Sequence, residues 1–249
     1  MKKIFVTALF IYTTVAAFSQ AQFLSKGKIE YERKINVQRQ YDWSDENDSW
    51  YKDYISKLPK FNTKYFELDF TGSKTIYHPG KREGDGNKMQ EWGIGPAKEN
   101  IILTDLEKQL FSGRKKVYEE TYLIQDSIRH LDWKITDETR TIVGFECKKA
   151  VAKICDSVYV VAFYTDEITV SGGPESFCGL PGMILGLAIP RLYTTWFATK
   201  VQLIEPTEAD FVIAGKGKKI NRKELESTLQ KSMKDWGKEG QKNVWWVTL

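Results

Sequence analysis

The chain has 249 residues, 41% hydrophobic, 13% aromatic and 28% charged. That is enough apolar material for a packed core, which excludes wholesale disorder, and the length fits one large domain or at most two. A formal net charge of +4 falls to +2 without Lys2 and Lys3, too weak a field for a dedicated nucleic-acid binder.

Residues 1–21 read as a secretory signal. Lys2 and Lys3 make a basic start, Ile4 to Phe18 is an apolar run, and Ser19 and Ala21 are the small residues before a cut at Gln22. The run is about 15 residues, shorter than the ~20 that cross a bilayer as a helix. The competing reading is an uncleaved membrane anchor. No cysteine sits near the cut to carry a lipid, and no later stretch is long and apolar enough to span. The expectation is one mainly antiparallel β domain over residues 22–249, periplasmic or secreted.

In residues 27–40, Ile29, Tyr31, Ile35 and Val37 alternate with Glu30, Glu32, Lys34 and Asn36, the period of a strand buried on one side; Arg33 breaks the apolar row. Residues 42–60 suggest a loop or short helix ending near Pro59. Phe66, Leu68 and Phe70 mark a second strand before a turn at Gly72-Ser73. Residues 79–99, rich in Gly, Pro and charge, read as a long mobile loop rather than a linker, because strand patterning resumes at once. Two or three strands follow in 100–127, then one from Trp133 and Ile135, one from Ile142 to Ile154 turning near Asp156-Ser157, its partner from Val158 to Tyr164, and another from Thr194 to Leu203. Short connections without intervening helices predict an antiparallel sheet. Asn221 with Glu224 caps a late amphipathic helix carrying Leu225, Leu229 and Met233, which Gly237 or Gly240 would stop. The last residues, VWWVTL, suggest a final strand.

Export permits disulfides. If 145–154 is a strand, Cys147 and Cys155 stand roughly 26 Å apart at ~3.3 Å per residue, too far to bridge. A bridge would join Cys178 to one of the others; three free thiols is the equal alternative. No CxxC spacing suggests a metal or thioredoxin-like site.

Residues 173–190 (GPESFCGLPGMILGLAIP) hold the most information. Gly173-Pro174 and Pro181-Gly182 are turn formers, and Gly179, Gly182 and Gly186 permit close approach of another surface. One reading is a tight turn feeding a buried strand. The other is a loop whose apolar residues meet a lipid, a lipidated protein or a membrane. On that second reading Gly179, Leu180, Pro181, Gly182, Met183, Ile184 and Leu185 are the candidate ligand-binding residues.

GLPGM at 179–183, followed by Ile184-Leu185, resembles the signature of the GLPGLI family, with Met183 where Leu is usual. Trp133-Lys134-Ile135, Glu138-Thr139, Ile142, Gly144, Cys147-Lys148-Lys149-Ala150, Tyr164-Thr165, Glu167-Ile168 and Gly173-Pro174 agree with it. The likeness covers roughly residues 25–205. It implies an exported envelope protein and supplies no catalytic or ligand residues. In outline the strand order with one late helix is similar to periplasmic lipoprotein carriers, whose curved sheet forms an incomplete barrel closed by helices.

Catalytic motifs are missing. His78 and His130 stand in no HExxH spacing, there is no GxSxG and no phosphate loop, and GDG at 84–86 lacks the acidic positions of a calcium loop. The pairs Asp45/Glu46/Asp48, Glu119/Glu120 and Asp166/Glu167, and the clusters Arg114-Lys115-Lys116, Lys148-Lys149 and Lys216 to Lys219, read as solvated faces. No catalytic residue, metal ligand or cofactor is expected. The leading expectation is a non-enzymatic envelope protein holding an apolar ligand or partner segment on a curved sheet. The alternatives are a carboxylate-based hydrolase of envelope glycans and an accessory subunit of an outer-membrane transport system.

Overall fold

A computed structural model describes residues 23–41, 49–81, 96, 98–155 and 158–249. The expected signal segment, the acidic group at 45–48, most of the 79–99 loop and the turn at Asp156-Ser157 lie outside the described residues. Strands make up 49% of the structure and helices 21%, so the fold is mainly β.

Among the described residues, twelve strands form a single open sheet. β1 (Gly27–Asn36) lies between β2 (Phe61–Phe70) and β11 (Thr194–Gln202), antiparallel to both. On one side β3 (Lys74–Pro79), β4 (Ile101–Asp105), β5 (Leu110–Val117) and β6 (Glu120–Ser127) follow as a meander, so residues 100–127 hold three strands. On the other side lie β10 (Met183–Ile189), β9 (Val158–Thr165), β8 (Phe145–Cys155) and β7 (Lys134–Ile142). One pairing departs from the antiparallel expectation: β12 (Lys218–Ile220) adds to β6 in parallel. The boundary expected at Ile142 also moves. Ile142 ends β7, and Val143 and Gly144 form a two-residue turn with φ of 51° and 86°. Positive φ at both central positions suits the twist of a tight hairpin, but a valine there does not advertise it.

Alternation sets the inner face. Ile29, Tyr31, Arg33 and Ile35 of β1 are all buried, with Phe66, Leu68 and Phe70 of β2 and Trp196 of β11. Val37 leaves the strand row: it opens α1 (Val37–Tyr41) and packs in a small separate cluster with Ile55 and Leu58, around α2 (Ser49–Lys57).

Two further helices complete the core. α3 (Arg222–Ser232) has the expected Asn221–Glu224 capping box, and Leu225, Leu229 and Met233 are buried. The closing segment is not a strand. Gly237–Thr248 forms α4, and its Val244, Trp246 and Val247 join the core together with Leu249. Gly240 does not stop a helix but lies inside this one. A Cβ there would stand 2.4 Å from the Met233 carbonyl oxygen, so the missing side chain lets α4 press against the end of α3. The other end is held by cations. Lys115 Nζ donates to the carbonyls of Val247 (2.9 Å) and Leu249 (2.7 Å), and Arg129 Nη2 to that of Thr248 (2.9 Å). Positive charge there satisfies orphan carbonyls and opposes the negative end of the helix dipole, an arrangement a strand would not have offered.

Tightest of the backbone approaches is Gly182, at φ 148°, where a Cβ would lie 2.0 Å from the Thr165 carbonyl oxygen. Gly182→Ala is expected to lower stability by about 3 kcal/mol or more, read by urea unfolding, whereas Gly72→Ala, at an open turn with no atom within 4 Å, leaves it nearly unchanged.

Candidate functional site

The segment 173–190 feeds a buried strand. Met183 N–H donates to Ile168 O (3.1 Å), Ile184 N–H to Gly172 O (2.8 Å), and Tyr31 Oη to Ile184 O (2.6 Å). Gly179 N–H donates to Ser171 Oγ (2.8 Å), and Trp133 Nε1 to Cys178 O (3.0 Å). Of the seven candidate ligand residues, Leu180, Gly182, Met183, Ile184 and Leu185 are buried, and only Gly179 and Pro181 are exposed. The side chains of Leu180, Met183, Ile184 and Leu185 fill the core rather than facing solvent.

The same segment delivers a carboxylate that the apolar pattern concealed. Glu175, with φ 56°, turns its side chain into the protein to 1% exposure. Asn100 Nδ2 donates to its Oε2 at 2.7 Å, and Arg33 Nη1 lies 3.9 Å from its Oε1, an ion-pair distance without a direct hydrogen bond. The Arg33 guanidinium is otherwise flanked by rings, with Cζ 4.7 Å from the Phe66 centroid and 5.9 Å from that of Trp246. Phe66 stacks on Tyr77 at 4.9 Å, Trp196 Nε1 donates to Tyr77 Oη (3.1 Å), and the Trp196 and Trp246 rings are 6.3 Å apart. Arg33 Nε and Nη2, Asn100 Oδ1 and Trp246 Nε1 have no hydrogen-bond partner among the described residues.

Burial dominates the electrostatics. It lowers the pKa of Arg33 and raises that of Tyr77 well above 10, with the Glu175 charge adding to the latter. Lys115, also fully buried, falls to about 8, with Glu175 drawing it partly back. Burial likewise pushes the Cys147 thiol up to about 12 and that of Cys178 to about 11. Both are therefore protonated and inert at neutral pH. The three cysteines are free thiols. The basic run at 114–116 is not a uniformly solvated face, because Lys115 follows Phe111 and Gly113 on the inward side of β5.

A second set of ionisable groups reaches solvent on the other face of β1–β3. Lys28 Nζ lies 2.6 Å from Glu67 Oε2 and 3.4 Å from Asp69 Oδ1, and His78 Nε2 is 3.2 Å from Asp69 Oδ2. Burial pushes Glu67 up, but the hydrogen bonds from Lys28 and from the Lys81 backbone N–H outweigh it, and the net shift is downward. The Asp69 hydrogen bond raises His78. His78 is thus a partnered, half-buried residue, while His130 is exposed. Sequence reading missed both sets. Arg33 in an apolar row was the available clue to the first, since a cation on an inward face requires an acid nearby. Register alone brings Glu67 opposite His78 and Lys28 opposite Asp69.

Residues 100–225 match the family described as N-glycanase peptide, N-terminal domain. The chain belongs to this family. The matched region includes Asn100, Lys115 and Glu175 but not Arg33 or α4. Solved structures of PNGF-II are similar in fold. One, in a C2 crystal form, is 16% identical with a TM-score of 0.50 over 79% of this chain and 31% of its own. Another, in P21, is 16% identical with a TM-score of 0.51 over 84% of this chain and 34% of its own. This chain therefore spans about a third of the PNGF-II length, and at that identity the likeness is one of fold. No curated protein matches the chain.

Removing one buried charge strands the other. Arg33→Met is expected to cost about 3–5 kcal/mol in urea unfolding, and the double variant Arg33→Met/Glu175→Gln to recover much of that loss; additive costs would show that the two charges are not coupled. Lys115 gives a pH signature. Between about 8 and its ordinary 10.5 the unfolded chain keeps the proton that the native lysine has shed, so this group makes stability rise with pH. From pH 8 to 10 the wild type is expected to gain stability relative to Lys115→Met; parallel curves would refute the assignment.

Proposed function

We propose that the chain acts, after export, as a non-catalytic recognition module for glycan-bearing partners. The observation that carries this reading is the seating of α4. Trp246 lies against Arg33, and Val247 and Leu249 accept from Lys115, so with α4 in place the buried group of Arg33, Lys115 and Glu175 is structural and beyond the reach of a substrate. The glycan class is supported by the N-glycanase family and by the shared PNGF-II fold. A curved, incomplete-barrel sheet closed by helices, the lipoprotein-carrier outline, fits the same arrangement, and the resemblance of residues 179–185 to the GLPGLI signature is in keeping with export. On this reading the 179–185 segment supports the core rather than the ligand. Seating an apolar ligand or a partner segment on the inner face requires α4 to leave.

The solvent-reaching set of Lys28, Glu67, Asp69 and His78 favours a hydrolase as the second reading, because two carboxylates and an imidazole converge there. Against it, the downward shift of Glu67 leaves it ionised at neutral pH, and a general acid must hold its proton.

Purified residues 22–249 are expected to retain an N-glycopeptide in an affinity assay while mass spectrometry finds the glycan still attached. Release of the glycan, abolished by Glu67→Gln, would establish the hydrolase instead. Lipid co-purifying in native mass spectrometry, with loss of α4 protection in hydrogen exchange, would establish an apolar carrier.

A further inference from the structure

The two-residue turn between β5 and β6 is built from Tyr118 and Glu119, and Tyr118 takes φ 55°. This conformation belongs to glycine or asparagine; a bulky residue adopts it at a cost and needs its surroundings to hold it there. Its ring meets that of Trp236 edge to face, with centroids 5.6 Å apart and planes at 66°. Trp236 immediately precedes Gly237, also at φ 55°, where the chain turns into α4. Asn243 of α4 is 7% exposed and donates from Nδ2 to Tyr118 Oη at 3.0 Å. One strained turn, a glycine turn and a buried amide thus fix the pair, yet Tyr118 remains 48% and Trp236 50% exposed. Burying these rings would have been the ordinary use of such aromatics.

Around the pair the surface is polar. Glu119, Glu120, Asp235 and Glu239 are all exposed; Glu239 also pairs with Lys242 at 3.1 Å, leaving its exposed lone pairs open, and its charge adds to burial in raising the Tyr118 hydroxyl. The rings offer on the order of 200 Å², far below the ~800 Å² per side of a stable protein interface. One flat ring with an apolar face and a hydroxyl rim fits that size and that border: C–H groups lie against the aromatics, and hydroxyls donate to the carboxylates. The geometry points to Tyr118 and Trp236 as a stacking platform for one saccharide ring, with Asp235 and Glu239 as hydroxyl acceptors. This rests on the glycan reading above and gives it a location.

The test is an NMR titration of residues 22–249 with N,N′-diacetylchitobiose, alongside the N-glycopeptide affinity assay. Trp236→Ala and Tyr118→Gly are compared with wild type; glycine suits the left-handed backbone, so the second variant removes the ring while relieving the strain. The expected result is saturable binding by wild type, weakened at least tenfold in both folded variants. Equal binding of the disaccharide by all three proteins would overturn the platform and leave glycan recognition standing elsewhere. Retention of glycopeptide by all three with no disaccharide binding would do the same. Absence of binding to either probe would overturn both readings. Wild-type dimerisation lost in both variants, without a sugar response, would overturn the platform in favour of self-association.

Discussion

The attraction between Arg33 and Glu175 is the constraint around which the interior is arranged. A guanidinium on an inward strand position is costly unless an acid reaches it, and the chain sends Glu175 there from the loop between β9 and β10, ten residues past the end of β9. The remaining requirements follow in order. The rings of Phe66 and Trp246 flank the cation, Asn100 holds the acid, and Lys115 adds a second positive charge that the carbonyl end of α4 answers. Strands β1, β2 and β5, the loop between β9 and β10 and the last helix are thereby tied to one small charged centre. Its members come from both inside and outside the region 100–225 that defines the family.

Much of the β architecture was legible because alternation is a strong pattern wherever one face of a strand is wet. β1, β9 and β11 lie where Ile29/Tyr31, Val158 to Tyr164 and Thr194 onward placed them, and the capping box at Asn221 marks α3. The errors have separate physical causes. Val143-Gly144 makes a tight hairpin without the usual asparagine, so Ile142, the last residue of β7, was assigned to the strand that follows it. VWWVTL is apolar at nearly every position and carries no period of its own; it became helical because Lys115 and Arg129, distant in sequence, meet its terminal carbonyls. Gly240, read as a stop, is a contact point between helices.

The charged side chains were harder still. Arg33 was visible as an interruption, but the identity of its partner depends on how a loop folds back, which no local pattern encodes. Lys115 was hidden by its neighbours, since three consecutive basic residues look uniformly solvated until strand direction sends the middle one inward. In the segment around GLPG, Gly182 lets the chain approach the Thr165 backbone and Gly186 makes room for the Phe197 ring. The segment's polar contribution came from Glu175, four residues ahead of the signature.

The placement of β1 has a consequence for how the molecule is made. Its edge toward β2 can pair soon after synthesis, but the edge toward β11 must wait for the far end of the chain. Until then the central strand offers unpaired amides to any passing neighbour, the circumstance in which strands add to the wrong molecule. Such long-range closure also slows folding. A polypeptide made with its first strand leading therefore benefits from a holding factor that shields that edge until the two meanders join.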